Sequence, residues 1–398
     1  MKQEIIEYIS KNWEKTIRQP VEGMPKPYCS PCIEGMYQDF FYWDTYFINI
    51  GLMINGDFEQ VQNNLDDIAY FINKIGYMPN ANHLLNRSQP PLFTRGVYEY
   101  WKNSGDDKVI ERYADTIIKE FNFWREKRTR KYGLNSYYVT DSEEQTMLHY
   151  QGLSCRVEEY SDDKERQLQI GVEIMSIAES GLDFNMRFKT ENSKIASSEY
   201  IHLDLNCILY DAEVKLAEML YKIGRNEEAK HYEEQAKNRK DLINKYFLTK
   251  DGIYMDYNFV RGTHGTVLSA ASMYPYAFGI SDDKVAAKKV IDQLELEYGY
   301  TVCPYRGEDI YYQWDYPIIW GEMQIILYWA LKNTHLDDIA KRLKNKFMAG
   351  IEHIFEKTHK LYEKYDGITG ELSNKEYDAP EMMGWTAAAY SYFSTIKD

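Results

Sequence analysis

The sequence is poor in the residues that would identify a chemistry at sight. Of its 398 residues, 5 are cysteine and 8 are histidine. An odd number of cysteines spread through a large chain does not make a disulfide framework and reads as reduced thiols in a cytoplasm. Cys29 and Cys32 form a C-x-x-C pair, but no second pair or nearby histidine completes a zinc site, so the pair reads as two free thiols in a loop. No run of about 18 apolar residues is present for a membrane span. The segment from Met1 to Trp13 carries Glu4 and Glu7 among its apolar residues and lacks the basic and apolar regions of a secretory signal. These features give a cytoplasmic expectation. Positive charge is also scarce, with 47 Lys+Arg against 62 Asp+Glu and a net charge of −15, which argues against nucleic acid or an anionic membrane as partner. G-x-S-x-G, G-x-G-x-x-G, the P-loop and H-E-x-x-H are all missing, so serine-elbow, dinucleotide, nucleotide-phosphate and zinc-protease chemistries have no motif to rest on. No Pro/Gly/Ser linker divides the chain, and a single domain over 1–398 is expected.

What is abundant is aromatic: 36 Tyr, 16 Phe and 8 Trp, together 15% of the chain. Such faces suit both helix packing and the C–H surfaces of sugar rings. Helical periodicity dominates the rest. Leu209, Ala212, Leu216, Leu220 and Ile223 step by three or four before Gly224, and Ala229, Tyr232, Ala236, Ile243 and Phe247 follow at once, which predicts a helical hairpin with a short turn. Val109 to Trp124 and Leu336 to Ile354 repeat the pattern. Short Tyr/Gly phrases follow three of these helices (Tyr132-Gly133-Leu134, Gly252-Ile253-Tyr254 and Leu361-Tyr362), which suggests a weak repeat of helix, helix, loop. About six such hairpins closed into a ring would bury every apolar stripe. The expected fold is all-α, an (α/α)6 toroid with loops gathered over one end and a ligand funnel at its centre.

Acids recur inside aromatic phrases: Phe41-Tyr42-Trp43-Asp44, Gly181-Leu182-Asp183-Phe184, Gln313-Trp314-Asp315-Tyr316 and Tyr362-Glu363-Lys364-Tyr365-Asp366. A carboxyl beside bulky rings loses hydration, which raises its pKa and fits it for acid catalysis near neutral pH. Two such groups across a sugar bond are the equipment of a glycoside hydrolase. Each acid taken alone is equally a helix cap or the partner of an arginine. A sugar epimerase would use paired histidines, and no two histidines occupy phrases of this kind. Acidic doublets such as Asp106-Asp107 and Asp162-Asp163 read as helix starts.

Taken together, Phe41-Tyr42-Trp43-Asp44-Thr45-Tyr46-Phe47, Asn86-Arg87-Ser88-Gln89-Pro90-Pro91, Ala178-Glu179-Ser180-Gly181-Leu182-Asp183-Phe184 and Gln313-Trp314-Asp315-Tyr316-Pro317 resemble the trehalase family, glycoside hydrolase family 37. So do Arg156-Val157-Glu158, Glu363-Lys364-Tyr365-Asp366 and Glu376-Tyr377 followed by Gly384-Trp385-Thr386, and the likeness runs from about residue 30 to the end. The resemblance implies a toroid that cleaves an α-glucosidic bond with inversion, without metal or other cofactor, in a small carbohydrate substrate. By the same resemblance Asp183 stands in the place of the general acid and Glu363 in that of the general base. Trp43, Asp44, Asn80, Arg87, Gln89, Trp314, Asp315 and Trp385 would bind or frame the sugar. Arg156 and Glu158 would reach it near the leaving group, and Glu376 would lie in the cover.

Two departures from the family pattern bear on substrate. Met36 stands where an arginine is expected and cannot make its charge-assisted bonds to sugar hydroxyls. The cover over the site, 366–375, has Gly367 and Gly370 in place of a glycine run. Acids retained while recognition residues change is the pattern of a shifted substrate. The related family 63 α-glycosidases, acting on glucosylglycerate or mannosylglycerate, are therefore the alternative, with a catalytically silent sugar-binding relative as a third reading.

Overall fold

The computed structural model describes residues 1–189, 194–307, 312–373 and 375–397. Six helices form an inner ring, each touching the next: Tyr42–Asn55, Phe93–Ser104, Leu203–Lys222, Tyr274–Ala277, Gly321–Asn333 and Gly384–Thr395, the last packing back on the first. Outside them lie Phe58–Ile75, Lys108–Lys127, Asn226–Phe247, Lys284–Leu294, Asp337–Thr358 and Lys2–Asn12. Lys2–Asn12 packs on Gly384–Thr395, so the two ends of the chain seal the circle. This is the helical toroid expected from the sequence.

The two layers have different sequence logic. The outer helices are amphipathic: in Asn226–Phe247 the buried positions are Ala229, Tyr232, Ala236, Ile243 and Phe247, the stripe read from periodicity. Gly224, at φ +77°, ends the helix before it, as a left-handed residue does cheaply only when it lacks a Cβ. Inner helices carry longer buried runs. In Tyr42–Asn55 every residue from Tyr42 to Leu52 is buried, a pattern that marks a helix enclosed by others. Packing there is close enough that a Cβ on Gly51 would lie 2.5 Å from the Trp13 ring and 3.0 Å from Ala388.

The short turns also follow local rules. Asp163 caps Lys164–Glu179 by accepting the Glu165 N–H at 3.0 Å, and Asp107 sits at the N-cap of Lys108–Lys127, so the acidic doublets are helix starts. A hairpin formed by Glu143–Val157 and Lys164–Glu179 is added between the second and third pairs of the ring. It carries Arg156 and leads into the Asp183 loop. Strand Ile318–Trp320 pairs antiparallel with Lys364–Asp366, Trp320 opposite Lys364, and this fixes the chain around Glu363. The segments that precede the inner helices thus converge at the helices' N-terminal ends, where the dipoles are positive.

Candidate active site

These segments enclose a cavity of about 340 Å³, at the small end of the range for small-molecule sites. Trp43, Asp44, Asn80, Arg87, Gln89, Arg156, Asp183, Trp314, Glu363 and Trp385 line it together, drawn from positions 43 to 385. Met36 lines it too and is 59% exposed.

Trp43 and Asp44 lie in the first turn of Tyr42–Asn55, whose cap residue Phe41 offers no side-chain acceptor. Gln89 supplies one, its Oε1 accepting the Trp43 N–H at 2.9 Å, so Gln89 fixes the indole as well as facing the cavity. The Asn80 N–H donates to the Arg87 carbonyl at 2.8 Å, and the Asn80 carbonyl accepts from the Tyr42 N–H at 3.1 Å, which binds the 80–87 turn to the start of Tyr42–Asn55. Gly181 takes φ +76° beneath Trp43, a turn that favours glycine, and two residues later Asp183 faces Arg156.

Arg156 organises one side of the cavity. It donates to the Asp183 carboxylate at 3.3 Å, the Asp183 carbonyl at 2.9 Å, Gln313 Oε1 at 2.9 Å and Glu376 Oε2 at 3.0 Å. Burial raises the pKa of Asp183 above its ordinary value, with Arg156 and Arg87 pulling against it. On the other side, Glu363 Oε1 accepts from the Tyr377 hydroxyl at 2.7 Å, and that hydroxyl accepts from Gln313 Nε2 at 2.5 Å. Burial pushes Glu363 up to about 7, opposed first by Lys364 and then by Tyr377. Trp385 Nε1 and Thr386 Oγ1 donate to the Glu363 carbonyl at 3.1 and 3.3 Å. Trp314 stacks on Trp320 with centroids 3.8 Å apart and planes 8° from parallel, so the wall is a double layer of indoles. Asp44, buried and facing Glu363 and Asp183, is pushed up to about 8, chiefly by burial.

Three of the sequence-derived residues stand elsewhere. Asp315 is fully buried outside the cavity lining, accepting the Met186 and Tyr312 N–H groups at 3.0 and 3.1 Å; it anchors the loop that presents Trp314. Glu158 is exposed in a left-handed conformation at the end of Glu143–Val157. Glu376 reaches Arg156 from the rim. Position 374 of the covering segment lies outside the described residues. The cavity also takes residues that the sequence reading did not single out: Tyr37, Asp39, His83 and Trp320. Behind Trp43, the Glu322 carboxyl is buried with neither oxygen hydrogen-bonded among the described residues, and burial holds it well above the usual range. Cys29 and Cys32 are buried, unpaired thiols whose pKa values burial raises to about 12 and about 11. Such thiols are poor nucleophiles.

A family model described as Trehalase matches residues 4–396. The chain belongs to the trehalase family. It is a glycoside hydrolase and its substrate is a carbohydrate. The periplasmic trehalase of Pseudomonas aeruginosa is 28% identical over 386 residues, which cover 91% of this chain and 70% of that protein. The periplasmic trehalase of Xanthomonas campestris pv. campestris is 27% identical over 427 residues, covering 96% and 71%. Among solved structures, neutral trehalase Nth1 from Saccharomyces cerevisiae superposes with a TM-score of 0.72 at 21% identity over 96% of this chain and 78% of that one. A GH63 mannosylglycerate hydrolase from Thermus thermophilus in complex with glucose gives 0.70 at 15% identity, over 98% and 99%. At these identities the two structures establish the fold.

The names of the relatives correct the cytoplasmic expectation, because they point to the periplasm. The inference from cysteine failed for a physical reason. Cys29, Cys32, Cys207 and Cys303 are buried with raised pKa values, too poorly ionised to exchange, and Cys155 has no second exposed thiol to pair with among the described residues, so none needs a reducing compartment to stay unpaired.

Raised carboxyls also give this trehalase-family protein a particular pH dependence. Asp44 and Glu120 are held at about 8, and Asp67, Glu173 and Glu363 at about 7, in each case chiefly by burial. The unfolded chain releases these protons near pH 4. Between about 4 and 8 the folded state therefore holds protons that the unfolded state has lost, and stability falls as pH rises through that window. Differential scanning fluorimetry is expected to show a lower Tm at pH 8.5 than at pH 5.5. A Tm that rises across the same interval would refute the assignment.

Proposed function

We propose that this protein hydrolyses the α-glucosidic bond of a small neutral glucoside, trehalose first among them, with inversion at the anomeric carbon. Asp183 protonates the leaving oxygen, and Glu363 takes a proton from the water that attacks the opposite face of the ring. The observation that carries this reading is the convergence of Asp183 and Glu363 on one cavity, each in a setting that raises its pKa. Trp43 and Trp314 give apolar walls for the ring, while Asp44, Asn80, Arg87 and Gln89 offer polar groups to its hydroxyls. Arg156 and Glu376 flank the acid. We read the whole of 1–398 as one domain, since the closed ring takes its helices from both ends of the chain.

The electrostatics favour a neutral leaving group over an anionic one such as glycerate. Four carboxyl side chains line the cavity (Asp39, Asp44, Asp183 and Glu363) against two guanidiniums, Arg87 and Arg156. Arg156 is engaged by Asp183 and Glu376, and the charge of Arg87 faces Asp183. An anion would have to compete with these carboxyls for both guanidiniums. The test is sugar release from trehalose, glucosylglycerate and mannosylglycerate. Turnover of trehalose with no mannosylglycerate cleavage is expected; the reverse pattern would overturn the reading.

Met36 lies at the open side of this cavity. Met36→Arg would add donors for a sugar hydroxyl, a bond worth about 1.5 kcal/mol at the lower end for a charged donor. Its expected effect is a roughly tenfold lower KM for trehalose with kcat little changed, read from steady-state kinetics.

A further inference from the structure

Glu363 is flanked by an ammonium that the cavity does not reach. Lys364 belongs to the strand Lys364–Asp366, where alternate side chains ordinarily point to opposite faces, yet its Nζ lies 3.8 Å from Glu363 Oε2, and its side chain is 0% exposed. Among the described residues, Glu363 Oε2 has no hydrogen-bond donor of its own. The same Nζ donates to the Lys375 carbonyl at 2.7 Å and sits 3.6 Å from the centroid of the Tyr377 ring. Lys364 thus touches, at once, the candidate base and both sides of the covering segment that carries Glu376.

We propose that Lys364 is a positioning residue for the hydrolysis: its buried ammonium holds Glu363 as a carboxylate and, through the Lys375 carbonyl and the Tyr377 ring, ties the ionised base to the segment that covers the cavity. The inference rests on the reading of Glu363 as general base. A dry site favours the neutral acid, which cannot take a proton from water. An opposite charge within 4 Å favours the carboxylate. The other groups that act on this pair are Glu376, Arg156, Lys375 and Asp183, with Asp44, Glu322 and Tyr37 facing Glu363 from the inner helices and the segment before them, and Tyr377 donates to the second oxygen of Glu363. Burial lowers Lys364 to about 8 while Glu363 attracts its proton, so the two groups titrate as a unit.

The experiment is the pH profile of kcat/KM on trehalose for the wild type, Lys364→Met and Lys364→Arg. Loss of the charge in Lys364→Met is expected to move the acidic limb up by at least about one pH unit, a deficit of about tenfold at pH 6 that shrinks by pH 8.5. Lys364→Arg, which keeps the charge, is expected to hold the limb near its wild-type place. A rate lowered by the same factor at every pH would show a merely structural residue and overturn the proposal.

Coupling between two sites is reciprocal, and this gives a second readout that needs neither turnover nor the methionine variant. In protein labelled with 15N-lysine, the Lys364 Nζ resonance is expected to titrate at lower pH in Glu363→Gln than in the wild type. An unchanged titration would overturn the coupling even if no substrate were turned over. Full activity in Glu363→Gln would instead remove the assignment of the base, so the two failures are distinguishable.

Discussion

Asp183→Asn and Glu363→Gln are each expected to lower kcat on trehalose by about 10³-fold or more, with the fold retained by circular dichroism, because each removes one proton transfer from the reaction. The two losses should part company on α-glucosyl fluoride, whose leaving group departs without protonation. Asp183→Asn is expected to regain most of the wild-type rate on the fluoride, since only the acid is missing. Glu363→Gln should stay inactive, since nothing activates the water. Recovery by Glu363→Gln in place of Asp183→Asn would exchange the roles. Both carboxyls sit in settings that suit these tasks for different reasons. Asp183 is raised by burial despite Arg156 at 3.3 Å, the direction a proton donor needs. Glu363 is raised to about 7 but has an ammonium at 3.8 Å and a hydroxyl at 2.7 Å, so it ionises near neutral pH. The rate should accordingly fall on the acidic side of about 7 as Glu363 takes up its proton.

The second large effect concerns the support of the Asp183 loop. Four residues after the candidate acid, the guanidinium of Arg187 is fully buried. It donates to Asp204 at 2.6 and 2.8 Å and to Asp256 at 2.5 and 2.7 Å. Asp204 opens the inner helix Leu203–Lys222, and Asp256 also accepts the Leu203 N–H at 2.9 Å. Arg187 therefore locks the loop onto the ring. Replacing it with methionine strands two buried carboxyls, and breaking a buried pair in this way costs about 3–5 kcal/mol. For a chain of this length the loss corresponds to a Tm about 5 °C lower. Adding Asp204→Asn and Asp256→Asn to Arg187→Met should recover much of the loss, because the penalty lies in the uncompensated charges. Equal melting of Arg187→Met and the wild type would show that the network contributes nothing to stability.

How much of this was legible in the sequence depended on which layer a residue belonged to. Outer helices such as Asn226–Phe247 announce themselves, because one face meets the ring and the other meets water. Tyr42–Asn55 carries no such period, being enclosed on all sides, and its aromatic motif identified it instead. The phrases around Asp44, Asp183 and Glu363 were readable because each keeps its acid next to rings. The partners that tune those acids were harder to read. Gln313 and Arg156 stand 157 residues apart and Tyr377 14 residues from Glu363, so no local pattern shows that they meet. Gln313-Trp314-Asp315 shows the limit of motif reading, for its tryptophan lines the cavity while its aspartate turns inward to hold two backbone N–H groups. Glu322 gave no local signal at all, as its burial behind Trp43 is a product of helix packing.

Two carboxyls that flank a sugar bond and act on opposite faces of the ring leave a stereochemical signature. The most direct test is proton NMR of trehalose cleavage in the first minutes, before mutarotation mixes the anomers. Equal initial amounts of β-glucose and α-glucose are predicted, since inversion makes one half β and leaves the other half α. Release of α-glucose alone would mean retention, and would contradict the water-activating role given to Glu363.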